Sequence, residues 1–293
     1  MAGTAASRRK YTMPGAAIAL LALLTLALRL WRVGDQRAVE AAWSRLLATA
    51  PGTVERFDPA MVEDLPEAAR RYFQYTIAPG TPLMPVSEIR MVGEIGLGDR
   101  DAPGYQPMRA RQLLAPPDGL IWIVEEAGSG VMRMSGSDGV VDGRSWTRFW
   151  LLGSLPVVRA GDDSNHLRSS FGRLVAEAAF WAPAALLPGE NVRWEAGDSP
   201  DIARATVTYG ALGQSLEIKV AEDGRPVRVT IPRWSNENPE GEWRIQPFGG
   251  TLEEFRTFDG FTLPTRVDGG NHFGTDDFFP FYRAIVVDIT FPQ

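Results

Sequence analysis

Residues 215–231 read SLEIKVAEDGRPVRVTI. Apolar side chains fall at Leu216, Ile218 and Val220, and again at Val227, Val229 and Ile231. That alternation is the period of a half-buried strand, whose successive side chains point to opposite faces. Asp223-Gly224 lies between the two runs and suits a tight reversal, because glycine takes positive φ at little steric cost. A hairpin joins antiparallel neighbours, whereas a parallel pair needs a long crossover. The fold class therefore turns on whether this unit repeats.

It repeats in both directions. Toward the N-terminus, strands are expected at 87–97, 106–115, 119–127, 131–136, 144–152, 192–195, 203–209 and 214–221. Toward the C-terminus they are expected at 226–232, 243–248, 252–258, 262–267 and 281–291. Asp138-Gly139, Asp142-Gly143 and Asp259-Gly260 offer further turns. Sequential hairpins predict a mainly β (α+β) protein built on a large curved antiparallel sheet. One helix interrupts the strands at 164–182, with Asp163 or Ser164 as its cap. Leu167, Phe171, Leu174, Val175, Ala178, Trp181 and Ala182 form its apolar stripe at about 100° per residue. The expected domain is 85–293, a sheet covered by this central helix.

The N-terminus has a different character. Ser7-Arg8-Arg9-Lys10 is basic, and Pro14 to Leu28 (PGAAIALLALLTLAL) carries no charge. With Arg29 and Arg32 snorkelling, the span reaches roughly 20 residues, about 30 Å of helix. The division expected is a cytoplasmic leader at 1–12, a transmembrane signal anchor at 13–33, and a helical neck with linker at 34–84. Basic residues stay inside, which puts the main domain outside the cytoplasm. LALRLWRVG is a poor cleavage site, so the anchor reading is preferred to a cleaved signal peptide. In the neck, a helix carrying Val39, Ala42, Trp43, Leu46 and Leu47 is expected, either capped by Asp35 or continuing from the membrane helix. Asp64 and Glu67 are expected to form a capping box for a second helix bearing Ala69, Tyr72, Phe73 and Ile77.

Composition narrows the chemistry. The 293 residues carry 30 Lys and Arg against 36 Asp and Glu, a net charge of −6, and the only lysines are Lys10 and Lys219. No basic stripe is visible, which argues against a nucleic-acid partner. Zero cysteines exclude disulfides, zinc–thiolate sites and thiol nucleophiles. No phosphate-binding loop, GxSxG elbow or HExxH motif occurs, and Ser137 in SGSDGV reads as a turn. Neither a cofactor nor a metal site is expected. His166 with Asp162 and Asp163, and His272 with Asp276 and Asp277, would make a metal site only if their loops met.

Glu177 stands out inside LVAEAAFWAPAALLP at 174–188. The wheel puts it at the edge of the apolar stripe, one turn after Arg173. An ion pair, or a hydrogen-bond acceptor for sheet groups beneath the helix, is the expectation, with Glu177→Gln costing about 1 kcal/mol or less as for an exposed pair. The aromatic inventory suggests either a packed core or an apolar cleft between sheet and helix. In the cleft reading Trp122, Trp146, Trp150, Trp181, Trp194 and Glu177 are the ligand-binding residues, and no catalytic residue is assigned.

Several segments resemble a known family. LPEAARRYF, SEIRMVGEIGLG and MRARQLLAPPDGLIW follow its opening order, and LVAEAAFWAPAALLPGENVRWE resembles its most distinctive part. FGGTLEEFRTFDGFTLPTRV and FPFYRAIVVDITF are similar to its closing strands, so the likeness runs from about Leu65 to Phe291. The family is a bacterial, often membrane-anchored group of unknown function, and it brings no functional residues to transfer. PRWSNENPEGEWR is longer than its usual turn. The architecture also resembles the LolA-like lipoprotein carriers, which hold acyl chains in a curved half-barrel. Together, the anchor implies an inner-membrane protein and that likeness implies a hydrophobic or lipid-linked ligand, a lipid or lipoprotein. The alternatives are a hydrolase using Glu177 with an Asp or His, and an envelope scaffold. No protein partner is indicated.

Overall fold

In a computed structural model, thirteen antiparallel strands form one open sheet. The structure describes residues 12–53 and 55–292, so the basic leader at 7–10 lies outside the described residues. The strands are β1 (Ser87–Gly96), β2 (Tyr105–Ala115), β3 (Gly119–Ala127), β4 (Met134–Val141), β5 (Arg144–Leu151) and β6 (Leu155–Gly161), then β7 (Val192–Ala196), β8 (Ile202–Tyr209), β9 (Leu212–Val220), β10 (Pro226–Ser235), β11 (Arg244–Phe258), β12 (Phe261–Asn271) and β13 (Phe279–Thr290). Their order is β6-β5-β4-β3-β2-β1-β13-β12-β11-β10-β9-β8-β7. Every step between sequential strands is a meander, except that β1 closes against β13. The sheet is thus two meanders stitched along the β1–β13 seam.

Helix α3 (Ser164–Trp181) connects the two edge strands and lies across one face. It touches β2 to β6 on one side and β9, β10 and β12 on the other. A flat sheet could not reach the same helix from both wings, so the sheet curls around α3, as the twist of wide open sheets favours. Asp163 caps α3, accepting from the N–H groups of Asn165 and His166. The helix is buried almost continuously from Ser169 to Trp181, so the single-stripe expectation was too narrow. A helix buried all round is apolar or internally paired, and this one is both. Helix α2 (Glu67–Thr76) extends the cover over β7 to β9 and β12.

Helix α1 (Thr12–Leu47) is one unbroken helix. Asp35 therefore lies mid-helix rather than capping a new one. Its carboxylate instead accepts from Arg159 at 2.7 and 3.0 Å and from Trp150 at 3.1 Å. Val39, Ala42, Trp43 and Leu46 bury themselves on the convex face of the sheet, against Leu113, Ile121, Val141 and Trp146. The N-terminal half projects free of the sheet: within Gly15–Leu47 an 18-residue window has mean hydropathy 1.9 and none of it is buried. The capping box expected at Asp64 is absent, since Pro66 occupies the cap of α2 and Glu67 pairs with Arg70 and Arg71.

Three strand expectations are corrected. Residues 243–248 and 252–258 belong to one 15-residue strand, β11, whose Gly249-Gly250 continues the ladder opposite Gly269-Gly270. Strand β6 was unread because Pro156 and an exposed surface hide its pattern, a common disguise for an edge strand. SGSDGVV is strand β4, not a turn. A Cβ on Gly139 would sit 2.7 Å from the Trp146 ring, so that glycine serves packing, and the hairpin turn falls at Asp142-Gly143 instead.

Candidate functional site

The concave face carries a polar row that the helix answers with a polar stripe. Gln112, Trp122, Asp138 and Thr147 are directly paired across β2, β3, β4 and β5. On α3, His166, Ser170, Arg173 and Glu177 recur at spacings of four, three and four, which aligns them on one side of a helix. The two sets interlock. Arg173 donates to Asp138 at 2.7 Å and to Glu177 at 2.5 Å, and Gln112 donates to the other Glu177 oxygen at 2.5 Å. His166 bridges Ser145 at 2.8 Å and Thr147 at 3.0 Å, and Thr147 donates to Asp138 at 3.2 Å.

Glu177 is buried at 7 % exposure and Gln112 at 0 %. The pairing with Arg173 is as expected, but its setting is interior rather than boundary. Burial alone would pull the Arg173 guanidinium down; Glu177 and Asp138 outweigh it and hold the group above its ordinary range. For Arg233, behind them, the carboxylates of Asp138, Glu237 and Glu177 compensate only in part. Burial first, then Arg173, push it down to about 10, so it stays charged at neutral pH. Its guanidinium lies 4.6 Å above the Phe248 ring and bonds the Ser169 carbonyl. Trp122 Nε1 and Gln112 Oε1 are buried with no hydrogen-bond partner in the protein.

Beside this network lies an apolar trough. Phe180 and Ala176 of α3 form its roof, Val229, Phe248, Leu252 and Val267 its walls, and Gly249, Gly250 and Gly269 its floor, with Glu177 and Tyr282 at one end. A Cβ at Gly250 would lie 2.5 Å from the Asp268 carbonyl oxygen, and one at Gly249 would strike that of Val229, so both floor positions demand glycine. Gly269 has room, its nearest neighbour being 3.6 Å away. The trough encloses about 40 Å³, so it is closed to anything longer than a methylene or two in this form. Burial above all, then the charge of Glu177, raise the Tyr282 phenol beyond its usual range; its hydroxyl rests 2.9 Å from Met91 Sδ.

A larger cleft of about 410 Å³ opens on the opposite, convex face, between α1 and β2 to β5. Its lining mixes apolar residues with the charges of Arg32, Asp35, Glu40, Arg111, Glu125 and Arg148. Asp35 pairs with Arg148 and Arg159, and Glu40 with Arg111.

The six residues proposed from sequence do not gather in one place. Glu177 and Trp122 meet through Arg173, whose guanidinium lies 5.1 Å over the indole. Trp146 and Trp150 are on the other face, against α1, because β5 alternates and Ser145, Thr147 and Phe149 take the concave side. Trp181 is sealed in the core and donates to the Pro264 carbonyl. Trp194 packs on Tyr72 and Phe73 of α2. Sequence reasoning missed the glycine floor and Tyr282. Paired glycines in GG at 249–250 and 269–270 were the available signal. The two histidines lie apart, His272 facing the Glu237 carbonyl, and no group of three metal-ligating side chains occurs among the described residues.

A family model described as a family of unknown function, DUF6544, matches residues 55–284. Among curated proteins no sequence relative matches. The chain is similar to a solved LolA superfamily protein from Nitrosomonas europaea, at 11 % identity and TM-score 0.36, covering 76 % of this chain and 90 % of that one. It is also similar to a putative outer membrane lipoprotein-sorting protein domain from Vibrio parahaemolyticus, at 12 % identity and TM-score 0.36, covering 70 % and 85 %.

Proposed function

The chain belongs to the DUF6544 family, a family of unknown function, and we propose that it is a membrane-anchored protein that binds a hydrophobic or lipid-linked ligand between α3 and the sheet. One observation carries the reading: an apolar trough, floored by glycines and roofed by Phe180, ends at a buried polar network. Apolar walls with a few convergent polar groups are the ordinary form of a small-molecule site. An amphipathic ligand would lay its tail along Val229, Phe248, Leu252 and Val267, with its polar end toward Glu177 and the unpartnered Trp122 Nε1. Entry requires Phe180, Phe248 and Tyr282 to swing aside, and Gly269, where a Cβ would meet nothing closer than 3.6 Å, leaves the floor low beside Tyr282.

Glu177 is tied to Arg173 and Gln112 inside the buried network, one hydrogen bond to each oxygen, an arrangement that fits a fixed polar end for the trough better than the hydrolase alternative. The exposed apolar half of α1 supports a membrane anchor. The basic residues at 8–10 favour the N-terminus inside the cytoplasm and the sheet outside it.

Photo-crosslinking tests the ligand. The full chain in bacterial membranes is loaded with a diazirine fatty acid, illuminated and digested. Adducts on peptides carrying Phe180, Phe248 or Tyr282, reduced several-fold by Gly269→Leu, are the expected result. Adducts confined to residues 12–31 would refute the trough as a ligand site.

A further inference from the structure

We propose that the sheet makes a second contact with the bilayer beside α1, by seating the β3–β4 and β5–β6 turns in the outer leaflet. The proposal rests on the anchor reading above. Three observations carry it.

The first is position. Arg32, four residues past the uncharged run that ends at Leu28, donates to the Gly153 carbonyl and to Ser135 Oγ, both at 2.9 Å. Gly153 is in the β5–β6 turn and Ser135 is the second residue of β4. The Leu152 N–H bonds the Arg133 carbonyl at 2.8 Å, so the two turns are tied to each other as well as to the helix. At about 1.5 Å per residue, these turns lie within roughly 6 Å of the end of the apolar run along the helix axis.

The second is chemistry. Val131 is 76 % exposed, Met132 48 %, Leu152 46 % and Leu155 50 %. They crown the end of the sheet from which the bare apolar helix emerges. The turns at the opposite end present Asp118 and Asp142 to solvent. The apolar character is local to the two turns tied to the membrane helix, since farther along the same end the β1–β2 turn exposes Asp99, Arg100 and Asp101; only the turns beside α1 match the hydrocarbon side of a bilayer surface. Isolated exposed apolar residues are ordinary, but a group gathered at one end marks a contact.

The third is layering. Immediately behind these turns comes the cleft into which Arg32, Asp35, Arg148 and Glu125 bring their charges. Trp31 stands at the same level, half exposed, its ring 5.5 Å from Trp150 and 4.4 Å from the Arg159 guanidinium. Apolar tips, then tryptophan with arginine, then charge is the order of environments met on leaving the hydrocarbon for the headgroups. The docked half of α1 fixes this register, because Asp35, Val39, Trp43 and Leu46 hold the helix to the sheet. The trough under α3 would then keep one orientation to the leaflet surface.

The absence of native cysteine makes the test direct. Single cysteines replace Ile18, Met132, Leu152 or Asp118 in the full chain, which is labelled with an environment-sensitive NBD dye and reconstituted in phosphatidylcholine vesicles. Doxyl-labelled lipid reports hydrocarbon contact, and iodide on both sides reports water. The expected result is lipid quenching at 18, 132 and 152, with iodide quenching several-fold stronger at 118 than at 132. Lipid quenching at 18 combined with iodide quenching at 132 and 152 would overturn this proposal and leave the anchor standing. Loss of lipid quenching at 18 would overturn the anchor, and this proposal with it. Near-ultraviolet circular dichroism of each variant, matched to the parent, keeps misfolding from imitating either result.

Discussion

Glu177→Gln is the most discriminating perturbation of the buried network. It leaves volume almost unchanged and removes one charge. Arg173 keeps Asp138 at 2.7 Å but loses its bond partner of full charge at 2.5 Å. The new amide oxygen can still accept from Arg173, which points its NH2 group at Gln112 Nε2, donor against donor. Rotation of the Gln112 amide presents the Oε1 that has no partner, recovering about 1 kcal/mol for one hydrogen bond. Removing one member of a buried pair costs about 3–5 kcal/mol. The expected net loss is therefore about 2–4 kcal/mol, several times the value for an exposed pair.

For a chain of this size that loss lowers Tm by roughly 5–15 °C. Thermal melts of the full chain in mild detergent, followed by near-ultraviolet circular dichroism at pH 7, would measure it. A double-mutant cycle with Arg173→Met should show coupling above about 1 kcal/mol, the double variant losing less than the sum. A shift under about 1 °C for Glu177→Gln, with no coupling, would refute the buried-pair account and return the residue to the solvated edge of the helix.

Other expectations follow from the same geometry. Asp35→Asn removes the charge that holds Arg159 and Arg148 to α1; limited proteolysis should cut near residues 48–56 at least several-fold faster than in the parent. Gly139→Ala places a methyl under the Trp146 ring and should cost about 1–3 kcal/mol by overpacking, read by urea unfolding. Burial raises the phenols of Tyr72 and Tyr282. Each then contributes stability that is complete below the ordinary tyrosine value of about 10 and declines as pH rises above it. Tyr282→Phe should flatten the alkaline decline in Tm between about pH 10 and 12, whereas unchanged pH dependence would place that phenol in solvent.

The fold was readable because each arm of the meander states its own period. SLEIKV and PVRVTI alternate, and the structure pairs them as β9 and β10. Where alternation failed, physical masking explains it. Strand β6 lies at the sheet edge with its residues mostly exposed, so no buried face imposes a pattern. Strand β11 is interrupted on paper by Gly249-Gly250, yet those glycines stay in the ladder because larger residues would strike Val229 and Asp268. Helix α1 reads equally as two elements or one because its halves face different solvents. The first is apolar all round and the second carries one stripe for the sheet; no break in the backbone was ever required.

The candidate site was half legible for a related reason. Composition counts tryptophans, but a strand deals them to two faces. In RSWTRFWL, Trp146, Arg148 and Trp150 go to the convex side with α1, and Ser145, Thr147 and Phe149 go to the concave side with α3. Assigning both tryptophans to a cleft under α3 required knowing which face α3 covers, and one strand cannot say. The His166, Ser170, Arg173 and Glu177 spacing could have said it. Polar groups repeating on one side of a helix otherwise buried need polar partners on the sheet beneath. The partners must then share a face with Trp122, since Gln112 and Asp138 flank it in register. That chain of reasoning separates the two tryptophans bound to the anchor helix from the one beside the trough. It also predicts that Trp150→Phe, which loses the Asp35 bond, loosens α1 without changing photo-crosslinking in the trough. Equal loss of both would mean that the two faces of the sheet act as one site.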